Sequence, residues 1–151
     1  LQERNMKIQL IGFIDELPES TKQVVLKAVE DTKDNTGMVL TFALNYGSRA
    51  EIIEATKALA NEVQSGEISV EDINDEAFAS KLQTSFLGEL QDPDLMIRTS
   101  GEVRLSNFLL WQLAYSEYYF TDIFWPDFSE EDLHKAILTY QGRHRRYGGL
   151  A

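Results

Sequence analysis

The sequence predicts an α/β fold with a mainly parallel central sheet and flanking helices. Two observations lead to this expectation. Short apolar stretches rich in β-forming residues alternate along the chain with longer stretches whose apolar residues recur at helical spacing. Residues 38–44 are almost continuously apolar, which is typical of a parallel strand buried on both faces. No internal repeat or low-complexity linker interrupts residues 1–151, so we expect a single domain.

The first half of the chain contains two strand-then-helix pairs and a shorter helical segment. Ser or Thr followed three residues later by Glu, Gln or Asp indicates where a helix starts, and Gly after an apolar periodic run indicates where it ends. The first predicted pair is a strand at 7–13 and a helix that starts at Ser20, with Gln23 three residues later, and ends at 35–37. The second pair is the strand at 38–44 and a helix that starts at Ser48, with Glu51 three residues later, and ends at Ser65 and Gly66. The shorter helical segment starts at Ser69, with Asp72 three residues later, and runs to Leu82.

The second half adds a third strand and a last helix. Residues 94–97 form a short, mainly apolar run that leads into Arg98, so they predict a strand. The apolar run 108–115 has helical length, and the aromatic block 115–128 predicts a short strand and a turn. Ser129, with Asp132 three residues later, opens the last helix. In such a fold, ligands bind beyond the carboxyl ends of the strands.

Composition excludes several classes of function. The formal net charge of -11 repels polyanions, so nucleic-acid binding is not expected. The absence of cysteine excludes disulfides, thiolate nucleophiles and cysteine-based zinc sites. No apolar run approaches the length of a membrane span, so we expect a cytoplasmic protein.

The turn after the third strand concentrates polar and cationic residues. Arg98 and Arg104 precede Ser106 and Asn107, and the predicted helix that starts there has no acidic residue in its first turn. The free N–H groups of a helix start and two guanidinium groups favour a phosphate or diphosphate. The alternative is a structural turn, in which the arginines pair with Glu102 and Ser106 only caps a helix.

Two further groups of residues have both a functional and a structural interpretation. Glu117, a lone carboxylate among aromatic residues, is either exposed or a ligand for a hard cation such as Mg²⁺. The arginines at 143–146 are either a solvated helix end or a cationic arm that closes over the same anion. His134 and His144 are too isolated for a metal site, and the aromatic block favours a core or a subunit interface.

Four segments together carry a resemblance that covers residues 7–149. They are Asn45-Tyr46-Gly47-Ser48-Arg49, the block from Arg98 to Gln112, Tyr119-Phe120-Thr121-Asp122 and Trp125-Pro126-Asp127-Phe128. In these segments the chain resembles the cis-prenyltransferase family, and most of all its bacterial branch that makes undecaprenyl diphosphate. The resemblance implies a transferase of isoprenoid biosynthesis that condenses isopentenyl diphosphate repeatedly onto farnesyl diphosphate with cis geometry. The product is the lipid carrier of peptidoglycan precursors, so peripheral membrane association is expected.

The resemblance also implies roles for individual residues. The substrate-binding residues that hold the diphosphate of isopentenyl diphosphate are Arg98, Arg104 and Ser106, together with Arg146 and Gly148, which reach across a homodimer. Glu102 and Asn107 support them, Glu117 helps to bind Mg²⁺, and Met38 is a candidate wall residue of the tunnel for the growing chain.

One motif of the family does not occur in this sequence. The Asp-Gly-Asn-Gly-Arg loop, with the catalytic aspartate, is absent. We therefore expect a C-terminal portion of such an enzyme, with an incomplete sheet that lacks its N-terminal βα units, and no activity of these residues alone. An accessory subunit of the same fold is the alternative, although the Arg98, Arg104 and Ser106 set opposes it. A nucleotide-binding α/β domain is disfavoured because residues 12–15 are not a glycine-rich loop.

Overall fold

The computed structural model describes residues 2–143, and along the chain it forms two compact units that divide between Phe86 and Leu87. Both units combine parallel strands with helices, which confirms the predicted α/β class. Whether the chain acts as a single domain stays a prediction. In the described part of the chain, no helix has the length and apolar character needed to cross a membrane.

The first unit contains one parallel strand pair and three α-helices. Strand β1 (Lys7–Ile11) pairs in parallel with β2 (Val39–Ala43), with Lys7 opposite Val39. The helices are α1 (Glu19–Asp31), α2 (Ser48–Ser65) and α3 (Asp75–Ala79). Short 3-10 helices occur at Gln2–Arg4, Ile14–Glu16 and Val70–Asp72. The buried apolar residues of this unit are Ile8, Ile11, Ala55, Leu59 and Leu82.

In residues 87–143, the second unit contains the other parallel pair and one long helix. Strand β3 (Leu95–Arg98) pairs with β4 (Glu117–Phe120), with Leu95 opposite Glu117. Helix α4 (Glu130–Gln141) packs on both strands, and a 3-10 turn at Trp125–Asp127 precedes it. A kinked 3-10 segment, Ser85–Leu90, spans the division between the units. Met96, Leu109, Leu113 and Ala136 are the buried apolar residues here.

The prediction that residues 38–44 are buried on both faces is wrong. Met38, Val39 and Phe42 are exposed, although the strand forms in parallel pairing as expected. Burial of a parallel strand on both faces requires other elements to cover each face, and the described residues do not cover this strand completely. The role of Met38 as a tunnel wall stays a prediction.

The predicted helix at residues 108–115 is also wrong. The segment from Ser106 to Tyr115 consists of turns and bends. Ser106, Asn107 and Leu109 have φ values of 50°, 65° and 45°, and a right-handed helix cannot continue through left-handed residues. The apolar residues of this run are nevertheless used for packing, because Leu109 and Leu113 are buried in the core of the second unit.

The predicted helix starts were correct at some positions only. Ser69 with Asp72 and Ser129 with Asp132 form capping boxes, as expected. The segment after Ser69 is divided, because Asn74 caps α3 separately through the Ala77 N–H. Two other starts differ, because α1 has Pro18 at its N-cap in place of Ser20, and α2 has Gly47 there in place of Ser48.

Candidate functional site

The turn after β3 is held by backbone hydrogen bonds to the segment that follows β4. The N–H of Ser100 donates to the carbonyl of Ile123 at 2.8 Å, and the N–H of Gly101 donates to that of Thr121 at 3.0 Å. Thr121 in turn donates its N–H to the carbonyl of Arg98 at 3.0 Å. The carboxyl ends of the two parallel strands therefore fix the position of this turn, at the edge where α/β proteins bind ligands.

Arg98, the last residue of β3, stabilises the turn through side-chain hydrogen bonds. Its Nη1 donates to the backbone carbonyl of Arg104 and to Oγ of Ser106, the latter at 3.2 Å. The structure therefore brings together three of the five predicted diphosphate-binding residues, with Arg104 contacted through its backbone carbonyl. It does so without the helix start that the sequence predicted at Ser106, so no helical N–H groups are available there for an anion. Asn107 is exposed and continues the left-handed backbone.

Arg104 forms an ion pair with Glu102 on the surface of the turn. The Arg104 side chain is 63% exposed, so the pair is screened by solvent and exchanges easily for another anion. The salt-bridged turn, the alternative interpretation of this sequence, therefore describes Arg104 in this structure. Glu102 contacts one of the two arginines that it was expected to organise.

A small cavity of about 240 Å³ lies beside this turn. Two arginines and four apolar residues line it: Arg98, Arg104, Met96, Ile97, Leu105 and Phe108. A ligand that combines an anionic group with a short apolar chain matches this lining, because guanidinium forks bind phosphate oxygens in pairs while the apolar wall excludes water.

Glu117, the predicted metal ligand, is the first residue of β4 and lies at the amino end of that strand. Its Oε2 accepts a hydrogen bond from Nη1 of Arg143 at 3.0 Å. Carboxylate oxygens are ligands that Mg²⁺ favours. In enzymes that act on phosphates, Mg²⁺ is commonly bound by one or two carboxylates and the substrate phosphates. Among residues 2–143 no three side chains that favour metals cluster together. Glu117 therefore offers a single carboxylate to a cation, at the opposite end of β4 from the turn that holds Arg98.

The pairing of Arg143 with Glu117 was missed by the sequence interpretation, which treated Arg143 as part of a tail cluster. The two residues are 26 positions apart, and no periodic pattern connects them. Of the other predicted tail residues, His144, Arg146 and Gly148 lie outside the described residues. His134 is exposed on α4, where Nε2 is 4.0 Å from Glu130, consistent with the expected surface position.

The comparisons with known proteins agree with this architecture. The model of the Prenyltransf family of undecaprenyl diphosphate synthases matches residues 1–148. The chain belongs to this family. An isoprenyl transferase from Halalkalibacterium halodurans is 55% identical over 150 residues, which are 99% of this chain and 57% of that protein. A ditrans,polycis-undecaprenyl-diphosphate synthase from Micrococcus luteus, (2E,6E)-farnesyl-diphosphate specific, is 56% identical over 99% of this chain and 59% of its own length.

A solved structure is also similar over nearly the whole chain. Lavandulyl diphosphate synthase from Lavandula x intermedia, in complex with dimethylallyl diphosphate, superposes with a TM-score of 0.91 at 38% identity. The match covers 95% of this chain and 60% of that one. The chain thus spans less than two thirds of the length of each of these relatives.

Proposed function

We propose that this chain carries the isopentenyl diphosphate half of a prenyl chain-elongating active site. The complete enzyme condenses isopentenyl diphosphate onto farnesyl diphosphate with cis geometry and gives undecaprenyl diphosphate. The observation that carries the proposal is the small cavity at the carboxyl end of β3, lined by two arginines and four apolar residues. Family membership and the name of the Micrococcus luteus relative support the choice of substrates.

Each residue around the cavity has a different role in binding. Arg98 is already fixed by its bonds to the turn, so it presents its guanidinium at little further cost in conformational entropy. Arg104 exchanges Glu102 for a phosphate oxygen, and Ser106 offers a hydroxyl beside Arg98. The apolar wall accepts the five-carbon chain. Arg146 and Gly148 complete the diphosphate contacts from the other subunit of a homodimer.

The chemistry needs both charge stabilisation and exclusion of water. Loss of diphosphate from the allylic substrate leaves positive charge on carbon and negative charge on the leaving group. Mg²⁺, when bound, neutralises the diphosphate charge, and Glu117 is the residue of this chain that would ligate it. The arginines orient isopentenyl diphosphate so that its double bond adds to the allylic carbon as diphosphate leaves, and loss of a proton from the resulting cation forms the new double bond. We expect the enzyme to work in the cytoplasm, in peripheral contact with the membrane that takes up its product.

Binding of isopentenyl diphosphate to the 151-residue chain, measured by isothermal titration calorimetry, tests this proposal. Arg104→Ala removes one charge-assisted phosphate contact, so we expect affinity to fall about tenfold or more. Lys57→Ala is the matched control, because Lys57 is a surface cation that pairs with Glu54 on the same helix at 2.7 Å, and its loss should leave affinity unchanged. Equal affinity of the wild type and Arg104→Ala would exclude Arg104 from the site.

Turnover requires more than these residues. The sequence contains no Asp-Gly-Asn-Gly-Arg loop, the family element that holds the allylic diphosphate. We therefore expect the 151-residue chain alone to incorporate no labelled isopentenyl diphosphate into long-chain product. Product formed by this chain from farnesyl diphosphate, isopentenyl diphosphate and Mg²⁺ would contradict the assignment of a half site.

A further inference from the structure

The ion pair between Glu117 and Arg143 connects two elements of the second unit. Glu117 begins β4, and Arg143 lies two positions beyond the end of α4. Nη1 of Arg143 donates to Glu117 Oε2 at 3.0 Å and to the backbone carbonyl of Tyr118 at 2.7 Å. The side chains are 34% and 25% exposed for Arg143 and Glu117, so the contact is more shielded than an ordinary surface pair. The guanidinium is thus held by two acceptors on the same strand.

This contact conflicts with a cation bound to the same carboxylate oxygen. Mg²⁺ binds oxygen ligands at about 2.0–2.1 Å in octahedral geometry. A guanidinium nitrogen 3.0 Å from Oε2 would then lie close to a second positive charge, and solvent screens this repulsion only in part. A cation and Arg143 therefore compete for Glu117.

The pair also has a use before any cation arrives. A partly buried carboxylate without a partner is costly to desolvate, so pairing favours the ordered state of Glu117. Arg143 neutralises Glu117 and fixes its rotamer. The carboxylate is then kept in place at the start of β4, where a cation can later replace the guanidinium.

We propose that Arg143 is a positioning residue for Glu117, which holds the carboxylate in the absence of a cation and is displaced when the cation binds. The inference rests on the proposed function, because it takes Glu117 as a ligand of the divalent cation. The new element is that the Arg143 guanidinium competes with the cation for Glu117. Removing Arg143 should therefore strengthen cation binding at Glu117.

The test is an NMR titration of the 151-residue chain with Mn²⁺ in the presence of inorganic pyrophosphate. Paramagnetic broadening of the Glu117 and Tyr118 amide signals reports cation binding at this site and does not depend on turnover. We expect Arg143→Gln to reach half-broadening at about fivefold lower Mn²⁺ than the wild type, the factor expected from losing one partly shielded ion pair. Lys135→Gln removes a positive charge from exposed α4 surface and should leave the midpoint unchanged.

Two further variants separate the possible outcomes. Glu117→Gln should abolish the local broadening, and if it does not, the metal assignment and the inference both fail. If Glu117→Gln abolishes broadening but Arg143→Gln titrates like the wild type, only the inference fails. Arg143→Lys keeps the charge but lacks the planar fork that reaches two acceptors, so its midpoint should fall between those of the wild type and Arg143→Gln. A midpoint equal to that of the wild type would contradict displacement of the guanidinium contact.

Discussion

Glu51 of α2 is a buried carboxylate whose removal should destabilise the first unit strongly. Its side chain is 1% exposed, and it accepts hydrogen bonds from the Gln83 N–H at 2.8 Å and from the Tyr46 hydroxyl. The side-chain oxygen Oε1 of Gln83 in turn accepts a hydrogen bond from the Gly12 N–H at 2.5 Å. The carboxylate therefore joins the chain after β1, the turn before α2 and the segment after α3.

The expected loss follows from these two contacts. A hydrogen bond to a charged group contributes about 1.5–3 kcal/mol, so two of them amount to about 3–6 kcal/mol. Relief of the desolvation of the carboxylate offsets part of this loss. We therefore expect Glu51→Ala to lower the free energy of unfolding by about 3 kcal/mol. Glu51→Gln keeps the volume and an acceptor for Gln83, so it should cost about 1 kcal/mol.

Urea denaturation followed by far-ultraviolet circular dichroism measures this loss, with hydrogen exchange of the Gln83 amide as a local probe. Tryptophan fluorescence is unsuitable, because Trp111 and Trp125 both belong to the second unit. Glu54→Ala is the matched control on the exposed face of the same helix and should change stability by less than about 0.5 kcal/mol. The reasoning is refuted if Glu51→Ala has the same free energy of unfolding as Glu54→Ala and its Gln83 amide stays protected from hydrogen exchange.

Two smaller perturbations test the turn after β3 and the start of α4. Gly101 has a φ of 70°, and an added Cβ would lie 3.1 Å from Asp122 Oδ1, so Gly101→Ala should cost about 1–2 kcal/mol in thermal or urea unfolding. Gly66→Ala, with similar backbone but nothing within 4 Å, should cost less, and equal losses would exclude a role for the Asp122 contact. At α4, hydrogen bonds from Ser129 lower the pKa of Asp132 below its ordinary value of 3.8. Its stabilising effect is therefore complete above that value and is lost as the pH falls through the lower folded pKa. Asp132→Asn should flatten this acid-side loss in unfolding measured at several pH values, and an unchanged pH profile would contradict the assignment.

The sequence predicted the order and type of most elements because their signals are local. Alternation of β-forming and helical stretches identified the strands ending near Ile11, Ala43 and Arg98. Capping chemistry located the start of α4 at Ser129, where the box to Asp132 needs only residues three positions apart. Gly66 ends α2 in the left-handed conformation that the Ser65-Gly66 pair indicated.

The failures have physical causes that a local pattern does not contain. An apolar run of helical length is equally compatible with buried turns, and the left-handed backbone at Ser106, Asn107 and Leu109 decides for turns. Glu51 has the spacing of a capping box with Ser48, but α2 has Gly47 at its N-cap, and the Glu51 carboxylate accepts the N–H of the distant Gln83. The partner of Arg143 depends on where α4 ends relative to β4, which is a property of tertiary packing.

The central claim, that the cavity at the carboxyl end of β3 binds isopentenyl diphosphate, is tested most directly by arginine modification. Phenylglyoxal labelling with peptide mapping gives a rate for each arginine, and Arg104 should react readily because its side chain is largely exposed. We predict that isopentenyl diphosphate slows modification of Arg104 and leaves that of Arg4, an exposed arginine of the first unit, unchanged. Equal rates for Arg104 with and without saturating isopentenyl diphosphate would contradict the claim.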